Sequence, residues 1–550
     1  MTNLPRTIRL LLLALAFETF PLLVHPAFAI SGSFAPLNPE FRELLRLQSA
    51  SVHETAYFSF ENRLLGERPS PLDLSHVRAP ERLGISTRSA ALPPQFDLRD
   101  HGALQPIRDQ APYGTCWAFG AFASLESTLR KSGAGDFDLS EWHLAYFAYV
   151  DESEAFPAFT AASADPEFGL DPIFDQGGNN WKAAAILARW TGAVSESDRP
   201  YQNVSPWPES SKPLSSDPPA MRLKHVHHLG AAFDSATIKH TVMTQGSVRI
   251  RVVWKNDAYN PETFAFFNPE KDGGGHAVNI IGWDDGYPAG NFSADPGRDG
   301  AWIMQNSWGT EWGENGYFYL SYADPTIGTP SLYLGGTTSE FERIYQYDPL
   351  GWVNNFGFDS ETAWFANIFT ATGPVLSGST NGNKAEFLRA VSFYAAQTNT
   401  SYQIEVRRVV NKGNPVSGTL VNSTAGTFPA AGYHTVEISA PVPLAPGERF
   451  SVAVRLTTPG YLFPIPTETS EQGYSDKATA LAGQSFVSKD GITWSDMTAQ
   501  TPNANVCLKA FTLTGDLPAS SGGCLVGESA YTPVLLFLIP LFMLAGKKQR

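Results

Sequence analysis

The first 500 residues of this 550-residue chain contain a single cysteine, Cys116. No disulfide can form within that stretch, so hydrophobic cores must hold it, and a chain this long is expected to build two or more of them. The composition can supply them, with 43% apolar residues and 12% aromatics against 17% charged. The 47 Gly and 41 Pro favour loop-rich and β-rich architecture over long helices. A net charge of −15 argues against nucleic acid as a partner. Cys116, without a nearby thiol in sequence, is either a reactive group or a small buried hydrophobe.

The chain reads as five stretches. Residues 1–29 carry Arg6 and Arg9, an apolar run from Leu10 to Leu23, and Ala27-Phe28-Ala29, the pattern of a secretory signal peptide cut after Ala29. An N-terminal anchor helix is the alternative, and Pro21 and Pro26 count against it. Residues 30–92 are proline-rich and weakly periodic, with one short amphipathic helix expected over 39–47, and read as a propeptide or an N-terminal strap. Residues 93–328 form a dense block. Helices are expected over 116–131, 180–189 and 235–244, the first with a buried stripe of Ala118, Phe122, Leu125 and Leu129. Strands are expected over 247–254, 277–283, 301–305 and 316–321, which makes an α+β domain with two unlike halves. Residues 345–515 lose the helical patterns and carry strand runs at 387–395, 401–409, 434–438, 449–456 and 505–513, which reads as an antiparallel β-sandwich. Residues 516–550 hold a linker, Gly522-Gly523-Cys524, a short apolar segment from Tyr531 to Gly546 and a basic tail.

The chemistry-bearing residues lie in the dense block. Cys116 follows Gly114-Thr115 and starts the first helix, where unpaired backbone N–H groups and the helix dipole favour thiolate, the nucleophilic form. His276 follows three glycines and opens a strand; Asn306 follows another strand and opens Asn306-Ser307-Trp308-Gly309. A lone histidine usually makes a routine hydrogen bond, and an asparagine before a turn is usually turn chemistry. As a set, they offer a nucleophile, a base and an acceptor that fixes the imidazole plane, with Trp308 to cover that bond from water. Isolated cysteines and the absence of a His-Glu-x-x-His pattern give no reason to expect a metal, and no cofactor is required.

The segments QAPYGTCWAFGAFASLES, GGHAVNIIGW and QNSWGTEWGENGYF resemble the three active-site blocks of papain-family cysteine peptidases, in the order Cys, His, Asn. The resemblance covers residues 93–328 and implies a two-lobed fold, a helical lobe facing a β lobe. It implies Cys116 as nucleophile, His276 as base, Asn306 as its orienting partner, and Gln110 with the Cys116 N–H as oxyanion donors. It places Gly177, Gly178 and Trp308 at the substrate-binding edge, with Gly178 pairing antiparallel to a substrate strand, and it implies a thiolate–imidazolium pair in the resting enzyme. Tyr113 and Asp175 stand where the family commonly has two bridged cysteines, Thr115 where Ser is usual, and Gln305 where Lys is usual.

Residues 345–515, on Tyr347-Asp-Pro-Leu-Gly-Trp352, Gly432-Tyr-His-Thr-Val436 and Asn505-Val-Cys-Leu-Lys509, resemble the lectin-like domain that follows the peptidase in some bacterial papain-like proteins. That admits a carbohydrate or surface ligand without establishing one; Cys507 reads as a core residue. The tail resembles bacterial sorting signals with a Gly-Gly-Cys motif, with Cys524 as the point of cutting or lipid attachment, a simple tail anchor being the alternative. The combined expectation is an exported peptidase, held at the envelope through its membrane-directed tail or released. It would act on proteins or peptides, preferably as an endopeptidase, through a thioester. The competing expectation is a surface adhesin with an inactive peptidase fold.

Overall fold

The computed structural model describes residues 32–49, 64–80, 92–151, 157–161, 170–232, 234–375 and 384–516. The expected signal peptide and the tail with Cys524 lie outside the described residues. No helix among the described residues is long and apolar enough to cross a membrane.

Five helices serve the argument: α1 (Pro39–Ser49), α2 (Cys116–Lys131), α3 (Glu141–Tyr149), α4 (Asn180–Ala188) and α5 (Ser235–Thr244). Caps set their starts. Ser140 accepts from the His143 N–H, Asn179 from the Trp181 and Lys182 N–H groups, and Asp234 from the Thr237 N–H. Helix α2 buries far more than the expected stripe, including Trp117, Ala121, Ser124 and Glu126. It packs against α3 and α4 on one side and the sheet on the other. With α3 and α4 it builds the core of one lobe around Trp117, Phe122, Trp142 and Leu187.

The facing lobe is a sheet. Its strand Val248–Trp254 lies between Gly328–Gly336 and Gly274–Asp284, which continue into Ala301–Gln305 and Tyr317–Ser321. These ladders are antiparallel, with His276 opposite Val252 and Asn279 opposite Gln305. Trp254, Ile280, Trp302 and Trp308 fill the core beneath.

The second domain packs a six-stranded sheet, Thr419–Phe428 through Ser495–Asp496, over the strands Arg343–Tyr345, Leu508–Asp516, Lys384–Ala395 and Ala431–Leu444. Phe365, Leu388, Phe393, Ile404, Val452 and Val454 meet between them. The two domains are more closely joined than separate strand runs imply. The strand Arg222–His228 pairs on one side with Gly328–Gly336 and on the other with Ala431–Leu444, so one sheet of thirteen strands runs through both. Cys507 is fully buried and donates to the Gly351 carbonyl at 3.3 Å, as a core residue should.

The N-terminal stretch ties the two domains together. Ser33–Phe34 pairs with Asn354–Gly357 of the second domain. Phe41 of α1 meets Tyr474 edge-on at 5.8 Å. His76 stacks on Tyr461 at 3.6 Å and bonds the Ala396 carbonyl at 2.8 Å. Between these anchors, residues 64–68 run through the cleft between the lobes.

Candidate active site

Cys116 begins α2 at the wall of the cleft, and the loop before it is fastened from several directions. Two residues ahead of Gln110, Arg108 is held by the Glu126 carboxylate of α2 at 3.0 Å and by Glu141 of α3. The Gln110 N–H donates to the Ser307 carbonyl at 2.8 Å, and the Ser307 hydroxyl donates to Gln110 Oε1 at 2.7 Å. With its oxygen engaged, the Gln110 amide presents Nε2, which donates to the Tyr113 carbonyl at 3.0 Å and the Leu64 carbonyl at 2.8 Å. Asp175 takes over the tethering expected of the missing disulfide. Its carboxylate accepts from the Gly114 N–H at 2.9 Å and the Asp171 N–H at 2.6 Å. Tyr113, at the other bridge position, donates to the Val204 carbonyl at 2.7 Å and packs on Phe174.

The strand Gly274–Asp284 carries His276, fully buried, into the same cleft. Its Nε2 lies 2.8 Å from Asn306 Oδ1, which also accepts from the Ser307 N–H at 2.8 Å. An amide oxygen only accepts, so Nε2 carries the proton and Nδ1 is the basic nitrogen. Nδ1 has no hydrogen-bond partner among the described residues. Trp308, expected at the substrate-binding edge, stacks on the His276 imidazole at 4.7 Å and is itself fully buried. The Cys116 sulfur also meets the backbone of Ala277, the residue after His276 on the same strand.

The strap occupies the substrate edge. The Gly66 N–H points at Cys116 Sγ at 3.3 Å. Gly178 donates to the Gly66 carbonyl and accepts from the Arg68 N–H, both at 2.7 Å, and Glu67 donates to the Gly275 carbonyl at 3.0 Å. Glu67 and Gly178 pair in parallel, opposite to the direction expected of a substrate. Glycine is needed at three of these positions. A Cβ on Gly178 would lie 2.4 Å from the Trp117 ring, one on Gly275 2.3 Å from the Glu67 carbonyl oxygen, and one on Gly66 1.8 Å from the Gly114 carbonyl oxygen. Gly177, next to Gly178, has a left-handed φ of 69°.

Burial decides the charge state. It pushes the Cys116 thiol up to about 12, the Glu67 carboxylate adding to the effect. Burial also pushes His276 down to about 4. The thiolate expected from the helix terminus is therefore not the state beneath the strap: desolvation outweighs the dipole and the two backbone donors. Sequence reasoning also missed Leu64, Gly66, Glu67 and Arg249 as parts of the site. One signal was available in the alternation Val248-Arg-Ile-Arg-Val-Val253, which puts two arginines on one side of a core strand.

Metal ligands are a separate matter. Among the described residues, one group of histidines, His225, His227 and His434, brings a ring nitrogen from each within 4.8 Å of the others. It sits where the two domains share a sheet and takes no part in the cysteine site.

Comparison with known proteins agrees with this geometry. The model of the papain family cysteine protease matches residues 92–329, and that of the lectin like domain residues 344–512. A cathepsin B-like cysteine proteinase 6 from Caenorhabditis elegans is 24% identical over 275 residues, covering 44% of this chain and 66% of its own length. A viral cathepsin from Spodoptera litura multicapsid nucleopolyhedrovirus is 27% identical over 238 residues, covering 43% of this chain and 60% of its own. The chain thus spans less than two thirds of the length of these curated relatives. Among solved structures, the cysteine protease and lectin-like domains of Cwp84, a surface layer associated protein of Clostridium difficile, superpose with a TM-score of 0.69 at 23% identity, covering 88% of this chain and 98% of that one. Clostridial cysteine protease Cwp84 after propeptide cleavage gives a TM-score of 0.62 at 25% identity, covering 76% and 99%. Residues 92–329 are therefore a papain-family cysteine protease domain, joined in one chain to a lectin-like domain.

Proposed function

We propose that the chain hydrolyses peptide bonds through Cys116, and that residues 64–68 hold it latent until they are displaced. One observation carries the reading: an extended backbone already lies in the cleft, with a peptide carbonyl, that of Leu64, on the Gln110 amide. In a productive complex a substrate strand runs the other way along Gly178. His276 Nδ1 takes the thiol proton, and sulfur attacks the scissile carbonyl carbon. The oxyanion accepts from Gln110 Nε2 and the Cys116 N–H. Collapse expels the amine, which receives the proton from His276, and water then cleaves the thioester. Asn306 and Trp308 keep the ring in plane throughout.

The parallel direction of the strap supports latency, because its carbonyls do not meet the nucleophile as a substrate's would. The strap also raises the thiol pKa, so its departure admits water and lets the helix terminus act. The signal-peptide pattern and the apolar tail with Cys524 support export and attachment at the envelope, where the lectin-like domain would meet a surface ligand.

The test compares Cys116→Ala with the parent on a broad peptide mixture after activation, alongside thermal melting. Loss of turnover with an unchanged melting temperature is expected. Turnover retained by the alanine variant contradicts the proposal.

A further inference from the structure

The strand Val248–Trp254 directs Arg249 beneath the Gly178 edge. The residue is wholly buried, and its guanidinium is ion-paired with Glu67 of the strap, also buried. Among the described residues its other hydrogen-bond partner is the Thr329 hydroxyl at 3.3 Å, and its Nε has none. The pocket is narrow here: a Cβ on Gly120 of α2 would stand 3.1 Å from Arg249 Cγ and 3.3 Å from the Ala277 side chain. Arg251, two residues on, pairs with Glu40 of α1 at 3.0 Å. Both arginines of this strand are thus neutralised by carboxylates of the N-terminal stretch, and both lose them when that stretch leaves.

A buried cation without a counter-ion is strongly unfavourable, and the pocket's floor cannot deprotonate to escape it. Whatever replaces the strap is selected for an anionic side chain. The backbone contacts say where in a substrate that side chain lies. Glu67 is the strap residue opposite Gly178, while its neighbour Gly66 lies at Cys116 Sγ. A substrate strand reversed along the same edge puts one residue opposite Gly178 and the next at the sulfur. The side chain that enters the pocket is therefore the second before the scissile bond, P2.

We propose that Arg249 is the specificity-determining residue of this enzyme and that it selects an acidic P2 side chain, glutamate above aspartate because Glu67 sets the depth. The inference rests on the peptidase reading above, but concerns binding as well as cleavage.

The test uses the full chain carrying Gly66→Val, which has no room to seat the strap, with cleft opening verified by thiol labelling of Cys116. Matched peptides with Glu, Gln, Leu or Lys at P2 are compared in two ways: by kcat/KM, and by fluorescence-anisotropy binding to the same protein with Cys116→Ala. The P2-Glu peptide is expected to exceed P2-Gln and P2-Leu by tenfold or more in both. Arg249→Met should abolish the difference, and Arg249→Lys should retain a reduced one. Should Arg249→Met fail to fold, the Glu-to-Gln ratio in the parent still decides. Glu-selective binding without cleavage supports the pocket while removing the peptidase reading. Equal or tighter binding of P2-Gln or P2-Leu overturns the inference.

Discussion

At the scale of single residues, Gln110 links the catalytic loop to the β lobe. Ser307 fixes its oxygen at 2.7 Å, which leaves its nitrogen aimed at whatever carbonyl occupies the cleft. A donor held in this way costs no reorganisation as the oxyanion forms. Gln110→Ala is expected to lower kcat by about 10²–10³-fold with a smaller effect on KM, read by steady-state kinetics. A kcat within a few-fold of the parent would remove Gln110 from the oxyanion site. Cys116, His276, Asn306 and Gln110 were legible in the sequence because local blocks surround each of them. Glu67 and Arg249 were not: they are 182 positions apart, and no local pattern joins a proline-rich stretch to a core strand. The thiol's state was misread for a related reason. A helix start is visible in sequence, whereas the burial that overrides it comes from the strap.

At the scale of elements, the strap is held by backbone bonds to Gly178 and Gly275 and by one buried ion pair. Breaking such a pair by removing one partner typically costs about 3–5 kcal/mol, because the other charge stays buried. Glu67→Gln is therefore expected to loosen residues 64–68. Alkylation of Cys116 in the uncut chain should then be at least tenfold faster than in the parent. Equal rates would mean that the backbone bonds alone keep the cleft shut. Helix α2, with a clear apolar stripe although no side chain caps its start, was read from sequence to the residue. Helix α3, in contrast, is buried from Glu141 to Ala148 and shows no polar face to mark it. The strand Arg222–His228 escaped because Arg-Leu-Lys-His-Val-His-His reads as polar, although neighbours on both sides make it an inner strand.

At the scale of the whole molecule, the shared sheet makes the domain seam a place where pH acts. Burial lowers His225 and His228 to about 4 and His227 to about 3, from an ordinary 6.5. Each is neutral when folded, and the unfolded chain takes up protons below about 6.5. Their stability contribution is full above that pH and declines as pH falls toward 4, by roughly 1.4 kcal/mol per unit per group. Replacing His227 with Gln removes one such group. Relative to the parent, the variant is expected to gain roughly 2–3 kcal/mol on going from pH 7.5 to 4.5 in denaturant unfolding. Parallel pH profiles would contradict the neutral-histidine seam. The continuity of that sheet was not legible, because strand runs in sequence do not say which run pairs across a domain boundary. The central claim, a Cys116 peptidase site held shut by residues 64–68, is tested most directly by mapping an irreversible peptidyl thiol probe on the intact chain and on the strap-displaced Gly66→Val chain. The account predicts labelling of Cys116 in the displaced chain, little in the intact one, and none of Cys507 in either. A folded Gly66→Val chain whose Cys116 stays unlabelled, or an intact chain labelled just as fast, would contradict it.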